Sequence, residues 1–312
     1  MSRNLPCWAD NPITGSWMAD PKKKRIKEAP QGGVSSMTTT FRIAASAIFV
    51  ILSFFSAFGQ PLPSAPSSQG FHSQVRLLSG GKQGETWLAG IEIALDQGFK
   101  TYWRNPGESG LPPSFDWSAS ENVAGIEVRW PAPTRYEDAA GVAYVYSHKV
   151  VLPVLVKPAA ADKPVKLALT VDYGICKDIC IPTHAELNVS LSDVGPEDRE
   201  AIEEAMAKVP PQQPLGAKGD LAVLSVQSAG GDKPTLNVAV RAPSGTKPVL
   251  FAEAPDGWYV STSTPDADNR FTVSVEERPK DAPGPVPLTL TLVAGDKAVE
   301  TQVSLDGSGQ PR

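Results

Sequence analysis

Apolar residues recur at every second position through much of the chain, beginning with Val75 and Leu77 and continuing as a longer stripe of Trp87, Ala89, Ile91, Ile93 and Leu95. Successive side chains of an extended strand point to opposite faces, so each such run predicts a half-buried β-strand. Further strands are predicted over 99–103, ended by Asn105-Pro106-Gly107; at Ile126, Val128 and Trp130; and over 142–156 with a break near Ser147-His148. Leu167, Leu169, Val171 and Tyr173 form another, and Leu187, Val189 and Leu191 the last of this group. Roughly seven short strands in about 120 residues, punctuated by turn residues, predict an immunoglobulin-like sandwich.

After residue 193 the period changes. Pro196-Glu197-Asp198 opens a short helix, Ile202, Ala205, Met206 and Val209 share one face of it, and Pro210-Pro211 stops it. This segment reads as a connector. Beyond it, alternating runs over 221–226, 235–240, 249–252, 258–262, 271–275, 288–293 and 299–305 predict a second, smaller sandwich without cysteine or histidine. The expected fold is therefore all-β: two tandem immunoglobulin-like sandwiches over 71–192 and 215–306, joined by a helical, Pro-rich linker over 193–214 and followed by a tail over 307–312.

Upstream, Arg42 precedes an apolar run from Ile43 to Phe58 that ends in small residues before Gln60, the pattern of a secretory signal over 37–59. The run is short for a membrane span of ~20 residues, although an uncleaved N-terminal anchor is the alternative reading. Residues 60–70, rich in Pro and Ser, read as a flexible linker. The basic run Pro21-Lys22-Lys23-Lys24-Arg25-Ile26-Lys27 resembles a nuclear-import motif, which contradicts export. Since Met37 makes an ordinary start for the signal, residues 1–36 read as a non-native or disordered extension. The expected location is the periplasm.

The formal net charge is −5; 7 basic and 3 acidic residues precede Gln60, which leaves 22 Lys and Arg against 31 Asp and Glu in the remainder. So acidic a chain is not built to bind nucleic acid. The 30 Pro and 26 Gly agree with a strand-and-turn protein.

Of three cysteines, Cys7 precedes the export signal and only Cys176 and Cys180 follow it, in Tyr173-Gly174-Ile175-Cys176-Lys177-Asp178-Ile179-Cys180-Ile181-Pro182. In an oxidising compartment, two cysteines with no competitor suggest a reversible intramolecular disulfide. On one extended strand their Cα atoms would lie ~13 Å apart, out of disulfide reach, so a turn or the two arms of a hairpin must bring them together. A structural staple is the alternative, but closing so small a ring gains only ~2 kcal/mol against ~3 kcal/mol for a 15-residue loop. A metal site is the other alternative: Cys176, Cys180 and His184 recur at intervals of four, and thiolate and imidazole both suit Cu(I). Pro182 opposes the continuous helix that would align the three. Lys177 and Asp178 act in opposite directions on a thiolate between them, so exchange would rely on a partner's more reactive thiol. No phosphate loop, Ser-His-Asp arrangement or cofactor motif is present.

The run from Val171 to Pro182, with Thr101-Tyr102-Trp103-Arg104-Asn105-Pro106-Gly107-Glu108-Ser109-Gly110 upstream and Leu152-Pro153-Val154 between, resembles the periplasmic N-terminal domain of the DsbD family, closer to its ScsB (suppressor of copper sensitivity) variant. The resemblance covers about 70–192, and the following sandwich resembles the second N-terminal domain of ScsB-type proteins. It implies an immunoglobulin-like domain that passes reducing equivalents to periplasmic thioredoxin-fold proteins, with possible protein-disulfide reductase activity. By position, Cys180 matches the cysteine that forms the mixed disulfide and Cys176 the one that resolves it. Glu137-Asp138-Ala139-Ala140-Gly141 matches the family's cap loop, with Ala139 where a shielding Phe would stand, so Tyr136 or Tyr144 is the candidate substitute. Full-length relatives continue into a membrane domain that supplies electrons; this chain ends at Arg312, so a separate membrane donor or a soluble thioredoxin-fold donor is expected.

Two rival functions stand beside exchange: a periplasmic copper-binding or copper-tolerance protein using the same thiols, and a structural sandwich with an inert disulfide. Trp103, Arg104 and Asn105 read as a partner surface or as a strand end with a core Trp. Tyr144, Tyr146 and His148 alternate on one strand and are candidates to face the cysteines.

Overall fold

The alternating stripes become strands in the computed structural model, which describes residues 66–191, 196–230, 233–280 and 282–312. The export signal, the extension before it, Cys7 and the first part of the predicted linker lie outside the described residues. The last part of that linker is not a free tether, because Ser67–Gly70 (β1) pairs antiparallel with β2 (Ser73–Gln83).

The first group of strands continues with β3 (Thr86–Leu95), β4 (Lys100–Gly107), β5 (Ser114–Asp116), β6 (Val123–Val128), β7 (Thr134–Asp138), β8 (Gly141–Ser147), β9 (Lys149–Pro158), β10 (Val165–Cys176) and β11 (Cys180–Leu191). They form two antiparallel sheets, ordered β1-β2-β3-β9-β6 and β11-β10-β4-β8-β7, with β5 on the flank of β10. Val75, Ile91 and Leu152 of the first sheet and Leu167, Val171 and Ile175 of the second are fully buried in one shared core. The same core takes up Tyr144 and Tyr146, which therefore point away from the cysteines rather than toward them. The reason is parity: on β8 the even positions face the core, and Ala143 and Val145 face the opposite side.

A single helix among the described residues, α1 (Pro196–Met206), follows. The connector reading understates it. Ile202 and Ala205 are buried against Leu78, Leu88 and Val151 on the outer face of the first sheet, and Arg199 Nη1 donates to the Gly80 carbonyl at 2.9 Å. Predicted face residues Ile202, Ala205 and Met206 all join this cluster, whereas Val209 lies past the helix end.

The second group comprises β12 (Ala222–Ser228), β13 (Thr235–Arg241), β14 (Val249–Glu253), β15 (Tyr259–Thr262), β16 (Arg270–Glu277), β17 (Val286–Ala294) and β18 (Lys297–Leu305). These make sheets ordered β12-β13-β16-β15 and β14-β17-β18 around a core that includes Val238, Phe271 and Leu290. The described residues cluster as one compact unit. The strand that joins the two groups is β14, whose alternation is divided between them: Leu250 and Ala252 enter the second core, while Phe251 enters the first. Its ring meets Tyr144 edge-on at 4.8 Å and Trp103 at 5.7 Å.

Removing the buried side chain that seats α1 tests this packing: Ile202→Ala should cost ~2–4 kcal/mol in urea denaturation. A loss under ~0.5 kcal/mol, the range of ordinary surface substitutions, would contradict it.

Candidate functional site: the cysteine hairpin

β10 and β11 are paired without interruption from Val165↔Leu191 to Cys176↔Cys180, so the two cysteines face each other as the last register partners before the turn Lys177-Asp178-Ile179. Facing Cα atoms of an antiparallel pair lie ~4.5–5.5 Å apart, inside the span a disulfide tolerates. That pairing joins backbones, not sulfurs: both cysteines are free thiols, Cys176 half-buried and Cys180 exposed.

Alternation also decides which side of the sheet they occupy. Leu167, Leu169, Val171, Tyr173 and Ile175 of β10 fill the core, which turns Cys176 to the outer face. There it packs beside Tyr102, Ala143, Val145 and Tyr136. A cavity of about 170 Å³ opens at this point, and both cysteines, Tyr102, Lys100 and Tyr136 line it.

The Tyr102 hydroxyl donates to Cys180 Sγ at 3.4 Å. Burial is the main cause that pushes this phenol well above its ordinary 10, and hydrogen bonds to Cys180 and then Cys176 add to it. It therefore stays protonated and acts as a donor to Cys180. Its ring is gripped between two glycines: a Cβ on Gly110 would fall 2.3 Å from Tyr102 Cε1, and one on Gly174 would fall 3.0 Å from Cε2. Gly110 also has φ +141°, a conformation that favours glycine. Tyr102 was missed in the sequence reading, although its signal was present: it has the opposite parity to core Trp103 on the same strand.

Tyr136 and Tyr144, the two candidates for the missing shield, separate cleanly. Tyr136 lines the cavity, with Lys100 Nζ 4.0 Å from its ring centroid, and Lys100 is itself the register partner of Cys176 on β4. Tyr144 lies in the core. The predicted cap residues form the turn between β7 and β8, closed by Asp138↔Gly141; Asp138 and Ala140 line the cavity and Ala139 does not. At the hairpin tip Lys177 Nζ stands 5.7 Å from the Phe99 ring centroid, and Ile179 is 70% exposed beside Cys180.

His184 is not brought to the thiols. It lies on the same outer face as Cys180 but four positions along β11, ~13 Å away, opposite Asp172. Its Nδ1 meets Asp172 Oδ1 at 2.7 Å and its Nε2 meets Glu186 Oε1 at 3.5 Å. Among the described residues no three His, Cys, Asp or Glu side chains converge as metal ligands, so the set Cys176, Cys180 and His184 does not assemble. A strand spaces i and i+4 in a line, whereas a helix would have gathered them. Trp103, Arg104 and Asn105 likewise face inward: Trp103 is core, and the other two bind the second strand group.

Residues 71–191 match the family model of the N-terminal domain of the thiol:disulfide interchange protein DsbD. The match is to a segment of the chain, which there resembles the DsbD N-terminal domain. The crystal structure of the N-terminal periplasmic domain of ScsB from Proteus mirabilis aligns with a TM-score of 0.59 at 23% identity, over 78% of this chain and 100% of that one. At that identity the likeness is one of fold, and it reaches beyond the DsbD segment. An endo-fucoidan hydrolase of glycoside hydrolase family 107 (TM-score 0.21, 12% identity, 69% of this chain and 34% of that) and a conserved domain protein from Bacillus anthracis (0.18, 11%, 77% and 89%) are too distant to carry an argument. No curated protein matches the chain.

On the same hairpin the imidazole of His184 is held above its ordinary 6.5 first by the Asp172 hydrogen bond and then by Glu186. The contact is therefore complete below pH 6.5 and is lost as pH rises through the raised value. An NMR titration of His184 should give a midpoint above 6.5 that falls toward 6.5 in Asp172→Asn. A wild-type midpoint at or below 6.5 would contradict the contact.

Proposed function

We propose that the protein is a periplasmic thiol-disulfide exchange protein that relays reducing equivalents through Cys176 and Cys180 to thioredoxin-fold partners. The observation that carries this reading is the register Cys176↔Cys180 at the open end of a hairpin, on the outer face, with a hydroxyl donor on Cys180. The match of 71–191 to the DsbD N-terminal family model supports the same chemistry, and likeness in fold to a periplasmic ScsB domain supports the location. On this reading 71–192 is a redox domain of immunoglobulin-like type and 215–306 a second sandwich that supports it.

The exchange is two substitutions at sulfur. The exposed Cys180 thiolate attacks one sulfur of a partner disulfide, forming the mixed S–S bond and releasing the partner's other sulfur as a thiolate. Cys176, as thiolate, then attacks Cys180 Sγ; the intramolecular disulfide forms and the partner's second sulfur leaves. The partner gains two electrons, and the two protons given up by the cysteines satisfy its thiolates. The Tyr102 hydroxyl, which donates to Cys180 Sγ, favours the thiolate there, since charge-assisted hydrogen bonds are the stronger ones. Run in reverse, the same steps reload the pair from an electron donor. The shielded Cys176 and the exposed Cys180 suit the resolving and attacking roles respectively.

Trapping tests the assignment. With Cys176→Ser, the protein mixed with a purified thioredoxin-fold oxidoreductase in its disulfide form should accumulate a mixed disulfide through Cys180, visible as a reducible band. Cys180→Ser should give little or none. Equal trapping by both variants would overturn the division of roles, and a wild-type disulfide that resists a thioredoxin-level reductant would leave the inert-staple reading in its place.

A further inference from the structure

We infer that Arg104, clamped by Glu253 and Glu300 of the second strand group, is a positioning residue for the thiol pair, acting through Tyr102. The inference rests on the exchange reading above and gives the second group a part in it.

The need for such a residue follows from the ladder. β4 is tied to the cysteine strand β10 by only two register pairs, Ile175↔Thr101 and Cys176↔Lys100. Tyr102 stands one residue past the last of them on the β8 side, where it pairs with Val145. The next pair of β4 and β8 is Gly107↔Ala143, so residues 103–106 bulge out against the single residue Tyr144. What fixes the chain immediately after Tyr102 is therefore whatever holds the bulge.

Trp103 anchors the start of the bulge in the first core, and the second strand group holds the rest. Arg104 donates from Nε to Glu253 Oε1 at 2.8 Å and from Nη2 to Glu253 Oε2 at 2.6 Å, a fork that fixes direction as well as distance. The same Nη2 reaches Glu300 Oε2 at 2.5 Å, and Thr291 Oγ1 and Gln212 Nε2 also donate to Glu300. The two carboxylates are only 17% and 13% exposed, so solvent screening of this cluster is limited. Next in the chain, Asn105 Nδ2 donates to the Ala252 carbonyl at 3.1 Å, and its Oδ1 accepts from Gly107 N.

Both ends of the clamped bulge are parts of the site. Tyr102 precedes it directly and touches Cys180; the chain leaving it supplies Gly110, which abuts the Tyr102 ring, and Ser109, which lines the cavity with the cysteines. Releasing Arg104 loosens the backbone just after Tyr102 and the segment that brings Gly110 against one edge of its ring, while Gly174 on β10 still holds the other edge. Misplacing a group that contacts the reacting atoms by an ångström is enough to slow a reaction many-fold.

The test uses the full chain and thioredoxin disulfide as the probe, with exchange rate and the reduction potential of the Cys176/Cys180 pair as readouts. Arg104→Ala should slow exchange about tenfold, and Arg104→Lys, which keeps the charge but not the fork, should recover part of it. Tyr102→Phe should slow exchange as well, and adding Arg104→Ala to it should cost little more, because two residues acting through one contact are not additive. Ile202→Ala, which destabilises the opposite face of the first sheet, is the control and should leave the folded protein's rate unchanged. If Arg104→Ala does not fold, Arg104→Lys carries the same non-additivity comparison. Additive losses, or an unaltered rate and potential in the folded Arg104 variants, would overturn the inference while leaving exchange itself intact. A wild type that exchanges with no thioredoxin would instead overturn the redox reading.

Discussion

The uninterrupted register of β10 and β11 governs the rest of the site. Twelve consecutive pairs bring Cys176 opposite Cys180, and the alternation that buries Leu167, Leu169, Val171, Tyr173 and Ile175 fixes the face on which Cys176 must appear. A slip by one residue would move every apolar side chain of β10 out of the core, so the position of the cysteines is held by the burial of five neighbours. The thiols themselves need contribute nothing to stability. This frees them to be reactive: the core pins the hairpin, and its end projects an exposed Cys180 and a bare Ile179.

The same rule of alternation joins the two strand groups. β14 gives Leu250 and Ala252 to one core and Phe251 to the other, while Glu253 and the Ala252 carbonyl hold the bulge of β4. Arg104 illustrates the balance within such a cluster. Burial would lower its pKa, but the hydrogen bonds and charge of Glu253 and Glu300 outweigh that and hold it above the ordinary value. Glu253 is itself raised, because its own burial outweighs the pull of Arg104. A buried pair of this kind adds little net stability, yet breaking it by removing one partner is costly. Geometry is what it contributes most plainly.

Much of this was legible in the chain because period-two alternation is a local signal. Most strands of both groups and the helix face of Ile202 and Ala205 could be read from spacing, although the short strands β1, β5 and β7 could not, and for the cysteines spacing left a turn or a hairpin open. Nor could three side-chain placements. Whether Tyr144 and Tyr146 faced the cysteines depended on the parity of β8 relative to β10, which only the sheet order decides. His184 looked like a third ligand at a helical interval, and a strand spreads that interval along a line. The destinations of Arg104 and Asn105 required knowing that β14, some 150 residues later, passes beside them. Tyr102 stood in plain view but carried no motif; its role comes from the contact between two strands and from the two glycines around its ring.

That two sulfurs paired by backbone register also behave as one redox unit is the central claim, and equilibration in graded glutathione buffers tests it most directly. After quenching and alkylation, peptide-resolved mass spectrometry reads Cys176 and Cys180 separately. The two should lose their label together at a single midpoint, with an intact disulfide between them and little glutathione on either. Separate midpoints, or a stable glutathione adduct on Cys180 with Cys176 still free, would show two independent thiols and contradict it.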